Sequence, residues 1–103
     1  MAATPEAKVK ASVRKLLDRL EIYHFMPPAN GFGRAGIPDI IACMDGHFVA
    51  IECKAGKGVT TALQDRELDN IVKHGGTVFI AREHNIPDLE LILKEKRNEL
   101  RGS

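Results

Sequence analysis

The sequence predicts an α/β fold with a mixed β-sheet, and three observations lead to it. Asp45 and Gly46 stand between two apolar, partly β-branched runs, a pattern typical of a β-hairpin. The stretch from Phe48 to Ala81 has the composition of strand, helix and strand, which predicts a parallel crossover unit. Apolar residues recur at helical spacing near both ends of the chain. An antiparallel hairpin joined to a parallel strand, with helices packed against it, is therefore expected.

The first third of the chain predicts one helix, one strand and one loop. Thr4 and Pro5 mark a helix start, because the hydroxyl can cap and proline suits the first helical position. Helical spacing then continues to about residue 20. Residues 22 to 26 have strand composition, and the three glycines in residues 30 to 36 predict a loop.

The rest of the chain predicts the hairpin, a crossover and a last helix. The hairpin strands are expected at residues 38 to 43 and 47 to 54. A helix capped by Thr60 or Thr61 follows and ends at Gly75, and a strand is expected at residues 77 to 81. A last helix begins near Pro87, which gives the order α-β-β-β-α-β-α.

Length and composition predict one domain over residues 1–103. A formal net charge of +1 gives little general attraction to nucleic acid, so phosphate binding would need a local patch. No apolar run approaches the roughly 20 residues of a membrane span, so no membrane association is expected. Cys43 and Cys53 lack zinc-site spacing, and a reducing cytoplasm is the expected location.

The hairpin register predicts a cluster of charged side chains on one sheet face. With a turn at Asp45 and Gly46, facing residues have numbers that add up to 91, so Asp39 faces Glu52. Opposed carboxylates destabilise a sheet unless a cation lies between them, and magnesium commonly binds such oxygen ligands. Alternation along the strand puts Lys54 on the same face and Cys53 on the other, while Cys43 shares the face of Asp39, so no disulfide is expected.

Several other polar residues have two interpretations. Glu6 lies on the core-facing side of the first helix, where it either joins the metal site or favours the helix dipole, and Gln64 raises the same question in the second helix. The glycines at 31, 33 and 36 are expected mainly to permit turns, and secondarily to let the backbone approach a phosphate. The four histidines have no ligand spacing. Four cations either bind phosphate or are solvated: Lys8, Lys10, Arg34 and Lys57.

These motifs resemble a known nuclease superfamily. Pro38 and Asp39, followed after twelve residues by Glu52, Cys53 and Lys54, resemble the PD-(D/E)xK pattern of restriction-endonuclease-like nucleases. The segment Gly-Arg-Ala-Gly-Ile-Pro-Asp and the sequence Glu-Cys-Lys-Ala-Gly, with Glu6 upstream and Gln64 downstream, are more narrowly similar to the VRR-NUC family. The resemblance covers about residues 4 to 82.

The resemblance implies a restriction-endonuclease-like core and a phosphodiesterase that depends on Mg²⁺ or Mn²⁺ and leaves 5′-phosphate ends. Matched residues imply that Glu6, Asp39, Glu52 and the main-chain carbonyl of Cys53 hold the metal. Lys54 would position or activate the attacking water. Gln64 matches a further site residue of the family.

Stand-alone members of the family imply a homodimer that acts on branched DNA such as four-way Holliday junctions. The alternative is a non-catalytic DNA- or protein-binding module that keeps the fold. An interface could involve the first helix with Tyr23 and Phe25, or the last helix. The second Ile-Pro-Asp, at residues 86 to 88, lies at a helix start without a Glu-x-Lys partner, so only Asp39 is expected to be catalytic.

Overall fold

A computed structural model describes residues 3–28 and 34–102, which form a four-stranded sheet and three helices. Within that part of the chain the sheet order is β1-β2-β3-β4. The first three strands are antiparallel neighbours and β3 pairs with β4 in parallel, so the predicted mixed sheet and element order are confirmed. The elements are α1 (Pro5–Arg19), β1 (Tyr23–Phe25), β2 (Ile40–Met44), β3 (His47–Cys53), α2 (Ala62–Lys73), β4 (Thr77–Ala81) and α3 (Ile86–Gly102).

The β2–β3 hairpin has the predicted register. Met44 pairs with His47 and Ile40 pairs with Ile51, so Asp45 and Gly46 form a two-residue turn. Their φ angles are 52° and 83°, as a type I′ turn requires at both central positions. Because side chains alternate along a strand, this register decides which residues share a face.

One face of the sheet forms the hydrophobic core with α1 and α3. Alternate residues of β2 and β3 point into it, and leucines and valines of the two helices cover them, as their helical spacing predicts. The buried residues on this side include Val13, Leu17, Ile40, Met44, Val49, Ile51, Cys53, Leu89 and Leu93.

In the part of the chain that the structure describes, the opposite face carries Glu52 and Phe48 and is partly covered by α2. Leu68 and Ile71 of α2 lie over the β3–β4 side, while the aromatic residues of β1 remain exposed. The two faces of the sheet thus have different environments. The face covered by α1 and α3 is apolar, and the face toward α2 carries charged and exposed side chains.

Three predicted strands extended too far, although β3 did so by only one residue, since it ends at Cys53. Strand β2 begins at Ile40 rather than residue 38, because Pro38 has no N–H and the N–H of Asp39 donates to the side chain of Glu52 at 3.2 Å. Strand β1 spans only three residues, since the N–H of Ile22 donates to Leu17 O at the end of α1. Among the described residues, no helix is long and apolar enough to cross a membrane.

Candidate active site

The central carboxylates, Asp39 and Glu52, lie at the open end of the β2–β3 hairpin. Glu52 is in β3 and only 2% exposed, and Asp39 immediately precedes β2. Each carboxylate accepts a main-chain hydrogen bond from the other strand: Cys53 N donates to Asp39 Oδ2 at 2.8 Å, and Asp39 N donates to Glu52 Oε1 at 3.2 Å. These reciprocal bonds hold the two acids side by side, as the register predicts.

Glu52 is electrostatically disfavoured as an anion. Burial raises the pKa of its carboxyl above the ordinary value of 4.5, and the negative charge of Asp39 raises that pKa further. Lys54 and the N–H of Asp39 oppose the rise but do not cancel it. A cation near both carboxylates would relieve this repulsion.

Lys54 and Gln64 both contact the same carboxylate oxygen of Glu52, Oε2. Lys54 Nζ lies 3.2 Å from Glu52 Oε2, on the sheet face that alternation predicts, and its side chain is largely buried. Gln64 Nε2 donates to the same oxygen at 2.7 Å. The position of Glu52 is therefore controlled from its own strand and from α2.

Gln64 also has a structural role that the sequence analysis missed. Its Oε1 accepts from Thr61 N at 2.9 Å, and Thr61 Oγ1 accepts from Gln64 N at 3.2 Å, which is a capping box at the start of α2. The Thr-x-x-Gln spacing could have revealed it. One amide group thus links the start of α2 to the buried carboxylate.

Glu6 approaches the pair through an intervening lysine. Lys10, one turn further along α1, lies 3.7 Å from Glu6 Oε2 and 3.6 Å from Asp39 Oδ1. Lys10 was expected as a phosphate-binding or solvated residue, and the structure instead brings it beside the carboxylates. Its positive charge offsets part of the charge of Asp39 and Glu6.

The two cysteines lie on opposite sheet faces, and both are free. Cys43 is exposed on the face of Asp39, whereas Cys53 is buried in the core. Burial raises the pKa of the Cys53 thiol to about 12, and Asp39 and Glu52 contribute to this rise. The thiol is therefore neutral at physiological pH, and only the main-chain carbonyl of Cys53 is a suitable ligand for a hard cation.

The other predicted DNA-binding cations are dispersed around the site. Lys8 is exposed on α1 and Lys57 is exposed in the loop between β3 and α2. Arg34 Nε donates to Glu67 Oε1 at 2.8 Å, and Glu67 is a buried carboxylate that the sequence analysis did not single out. The glycines at 31 and 33 lie outside the described residues.

Gly36 holds the loop before Asp39 against α2. Its φ is +84°, and a Cβ there would lie 2.4 Å from Leu63 O. A glycine is therefore needed both for its backbone conformation and for the close approach to the start of α2. This contact places Asp39 and Gln64 on either side of Glu52.

Asp88, in the second Ile-Pro-Asp, has a different environment from Asp39. It is exposed in the first turn of α3, where a carboxylate favours the helix dipole. Across residues 3–28 and 34–102, no three His, Cys, Asp or Glu side chains already converge as a closed metal centre would require. In the described part of the chain, Asp39 and Glu52 lie side by side, and Lys10 lies between Glu6 and Asp39.

The family model for archaeal Holliday junction resolvase (Hjc) matches residues 25–99 of the chain. The chain belongs to this family. The Hjc match includes the hairpin, α2, β4 and most of α3, and therefore Asp39, Glu52, Lys54 and Gln64. Family membership supports nuclease activity.

Two solved structures share the fold. One, titled "VRR_NUC domain", is 25% identical, with a TM-score of 0.66 over 76% of this chain and 84% of that chain. A second, titled "VRR_NUC domain protein", is 19% identical, with a TM-score of 0.67 over 92% of this chain and 89% of that chain. No curated protein sequence matches the chain. The likeness confirms the restriction-endonuclease-like fold and the resemblance to VRR-NUC proteins.

Proposed function

We propose that this Hjc family member is a metal-dependent endonuclease that cuts four-way DNA junctions and leaves 5′-phosphate ends. The observation that carries the proposal is the buried Glu52 beside Asp39, with Lys54 at 3.2 Å. A binding module without catalysis would not need two adjacent acids, which raise the pKa of Glu52 and weaken the fold.

The chemistry of the donor set fits Mg²⁺ or Mn²⁺. Asp39 and Glu52 offer hard carboxylate oxygens, and the Cys53 carbonyl, one residue further along, offers a third. Glu6 would add a further carboxylate, since Glu6 and Asp39 already contact the same cation, Lys10. When bound, the divalent ion would supply an activated water and offset the charge that builds on the scissile phosphate.

The remaining residues position and stabilise the reacting groups. Gln64 holds Glu52 through its amide, so the carboxylate cannot turn away from Asp39. Lys54 carries a positive charge beside Glu52, where it can orient a water or a phosphate oxygen. If a divalent cation bound Glu6 and Asp39, Lys10 would leave them. Its ammonium group would then be available to a DNA phosphate.

The decisive experiment compares three labelled substrates: a four-way junction, a flap and a linear duplex. Each is incubated with Mg²⁺, with Mn²⁺ and with chelator. We expect paired cuts in the junction that require metal. With a fluorophore on the 3′ end of each strand, the labelled product has its new end at the 5′ side, so a mobility shift after phosphatase treatment reports a 5′-phosphate. Tight junction binding without cleavage under any metal condition would instead favour the non-catalytic module.

We further propose a homodimer in the cytoplasm, with two sites that face one junction. Two-fold pairs are the commonest oligomers, and symmetry-related strands need paired cuts. Two exposed apolar surfaces could form the interface: Tyr23 and Phe25 on β1, or Leu91 and Ile92 on α3. Phe25→Glu and Leu91→Glu, measured by light scattering over a concentration series, distinguish them. A monomeric parent that still makes both cuts in one binding event would contradict the dimer.

A further inference from the structure

A cleft of about 520 Å³ lies beside the candidate active site on the same side of the sheet. It is within the range typical of small-ligand sites. Its walls combine an aromatic ring, an amide, a carboxylate, an imidazole and a guanidinium, from Arg34, Phe48, Glu67, Asn70, Ile71 and His74. Such a mixed lining suits a flat, polar-edged ligand better than an aliphatic one.

Two elements, α2 and β3, each carry both a cleft residue and a candidate catalytic residue. Glu67 is three residues after Gln64 on α2, a rise of about 4.5 Å. Phe48 is four residues before Glu52 on β3 and on the same face, about 13 Å away. Because one strand of duplex DNA advances 3.4 Å per nucleotide, the occupant lies roughly one to four nucleotides from the scissile phosphate.

Gly76 lets the backbone pack closely against two side chains in the wall of the cleft. At Gly76, a Cβ would lie 2.6 Å from Ile71 Cγ2 and 3.3 Å from Phe48 Cδ1, so a larger residue would displace these side chains. The ring of Phe48 is 46% exposed, and it therefore offers surface to a ligand rather than to the core. Aromatic side chains on a sheet face commonly stack on bases of single-stranded nucleic acid.

Arg34 is arranged to hold a phosphate at the same place. Its Nε is fixed by the buried Glu67 at 2.8 Å, while the side chain as a whole is 69% exposed. A guanidinium presents several donors in one plane, so a carboxylate on Nε orients the others toward solvent. The pairing also leaves the cleft close to neutral, which avoids repelling DNA.

We propose that this cleft binds one unstacked nucleotide of the DNA substrate, with its base on Phe48 and Asn70 and its phosphate on Arg34. The inference rests on the proposed junction nuclease function, since the occupant is part of that substrate. An unpaired or strained nucleotide at the branch point is the one most easily turned out of the stack.

The test measures binding of a four-way junction in chelator by fluorescence anisotropy. We expect Phe48→Leu and Asn70→Ala each to weaken binding about five- to tenfold, a range typical of one lost base contact. The matched controls are Phe79→Leu, an aromatic residue of β4 that packs against the core, and Asn98→Ala, an exposed amide on α3; both should bind like the parent. Equal losses in the controls, or no loss in the cleft variants, would overturn the proposal.

A double-mutant cycle assigns the lost affinity to a base. Junctions with an abasic position one to four nucleotides from the cut are bound by the parent and by Phe48→Leu. At one position the two changes should be non-additive, so that the abasic junction binds both proteins equally. Full additivity at every position would contradict a base in the cleft.

Light scattering separates the cleft from a dimer interface. A Phe48→Leu protein with an altered oligomeric state would overturn the proposal, because a second copy of the chain would then be the occupant. If the parent binds and cuts junctions and the cleft variants behave identically to it, the nucleotide-binding role of the cleft is refuted and the proposed function stands. A parent that binds no DNA refutes the proposed function itself.

Discussion

At the residue scale, Glu52 combines two demands that oppose each other. The burial of its side chain and the negative charge of Asp39 both disfavour the anion, yet a metal site needs that anion. Hydrogen bonds from Gln64 and the N–H of Asp39, with the charge of Lys54, hold it in place. Such tension between stability and ligand chemistry is typical of functional sites.

Asp39→Asn should abolish cleavage and leave the fold intact. The asparagine Oδ1 can still accept from Cys53 N, so the hydrogen bond at 2.8 Å survives while the charge is lost. In metal-free buffer at neutral pH, the free energy of unfolding should be unchanged or about 0.2–1 kcal/mol higher. Thermal melts and junction cleavage measure both effects, with Asp88→Asn as the active control. Cleavage lost in Asp88→Asn would mean that the other tripeptide is catalytic.

The same variant should change the pH dependence of stability. Because the pKa of Glu52 is raised, the folded parent binds its proton more tightly than the unfolded chain does. Stability of the parent therefore falls as pH rises from about 4.5 through the raised pKa. In Asp39→Asn one cause of the raised pKa is gone, so the fall should be smaller. Melts from pH 4 to 8 that superimpose for the two proteins would contradict this.

Lys54→Ala should lose most turnover and still bind metal. The lysine contacts Glu52 rather than completing the oxygen donor set, so its loss removes charge and positioning and no ligand. Calorimetry with Mn²⁺ and single-turnover cleavage measure the two effects separately. Lost metal affinity with a near-normal cleavage rate would reverse the roles.

At the element scale, the start of α2 supports the site through two contacts. The Thr61 and Gln64 capping box satisfies main-chain donors that would otherwise lack partners, and Gln64 continues to Glu52. The loop that carries Asp39 packs on the same helix start through Gly36. The geometry of the carboxylates thus depends on how α2 docks on the sheet.

Gly36→Ala should be more destabilising than Gly46→Ala. Both glycines have nearly the same φ, +84° and +83°, so both alanines meet the left-handed strain of about 1–2 kcal/mol. Only at Gly36 does a Cβ also meet backbone, 2.4 Å from Leu63 O. Denaturant unfolding should show the larger loss for Gly36→Ala, and cleavage should fall in that variant alone. Equal losses of stability in the two variants would mean that the loop at Gly36 can move away from Leu63 at little cost.

Glu90 links α3 to α1 and should make stability depend on acid pH. Arg19 and Lys94 lower the pKa of Glu90 to about 2. A lowered pKa stabilises the fold above about 4.5, and that contribution is lost as pH falls toward 2. Glu90→Gln should therefore lower Tm at pH 7 and match the parent near pH 2. Glu95→Gln, exposed on the same helix, is the control and should melt like the parent at both pH values.

At the scale of the whole molecule, the two faces of the sheet separate stability from function. The face covered by α1 and α3 holds the hydrophobic core, and the face partly covered by α2 holds Glu52, Lys54 and the cleft. With a formal net charge of +1, attraction to DNA must come from local cations near the second face.

Junction affinity should therefore fall as salt rises. Four candidate phosphate contacts in each subunit of the proposed dimer, Lys8, Lys10, Arg34 and Lys57, predict a slope of log affinity against log salt no steeper than about −7.2. Lys57→Gln should reduce its magnitude by about 2, whereas Lys94→Gln on α3 should leave it unchanged. Anisotropy titrations from low to physiological salt measure the slopes. A much steeper slope would require cations that lie outside this set.

By itself the sequence determined the order of the elements, the hairpin register and the face shared by Asp39, Glu52 and Lys54. These follow from local rules: the Asp45 and Gly46 turn sets the register, and side chains alternate along a strand. The tertiary structure alone decided that Lys10 lies between Glu6 and Asp39, and that Arg34 meets Glu67 across 33 positions of sequence. Helical periodicity assigns a residue to a face of its helix, but only the docking of that helix on the sheet sets its distance from a residue of another element.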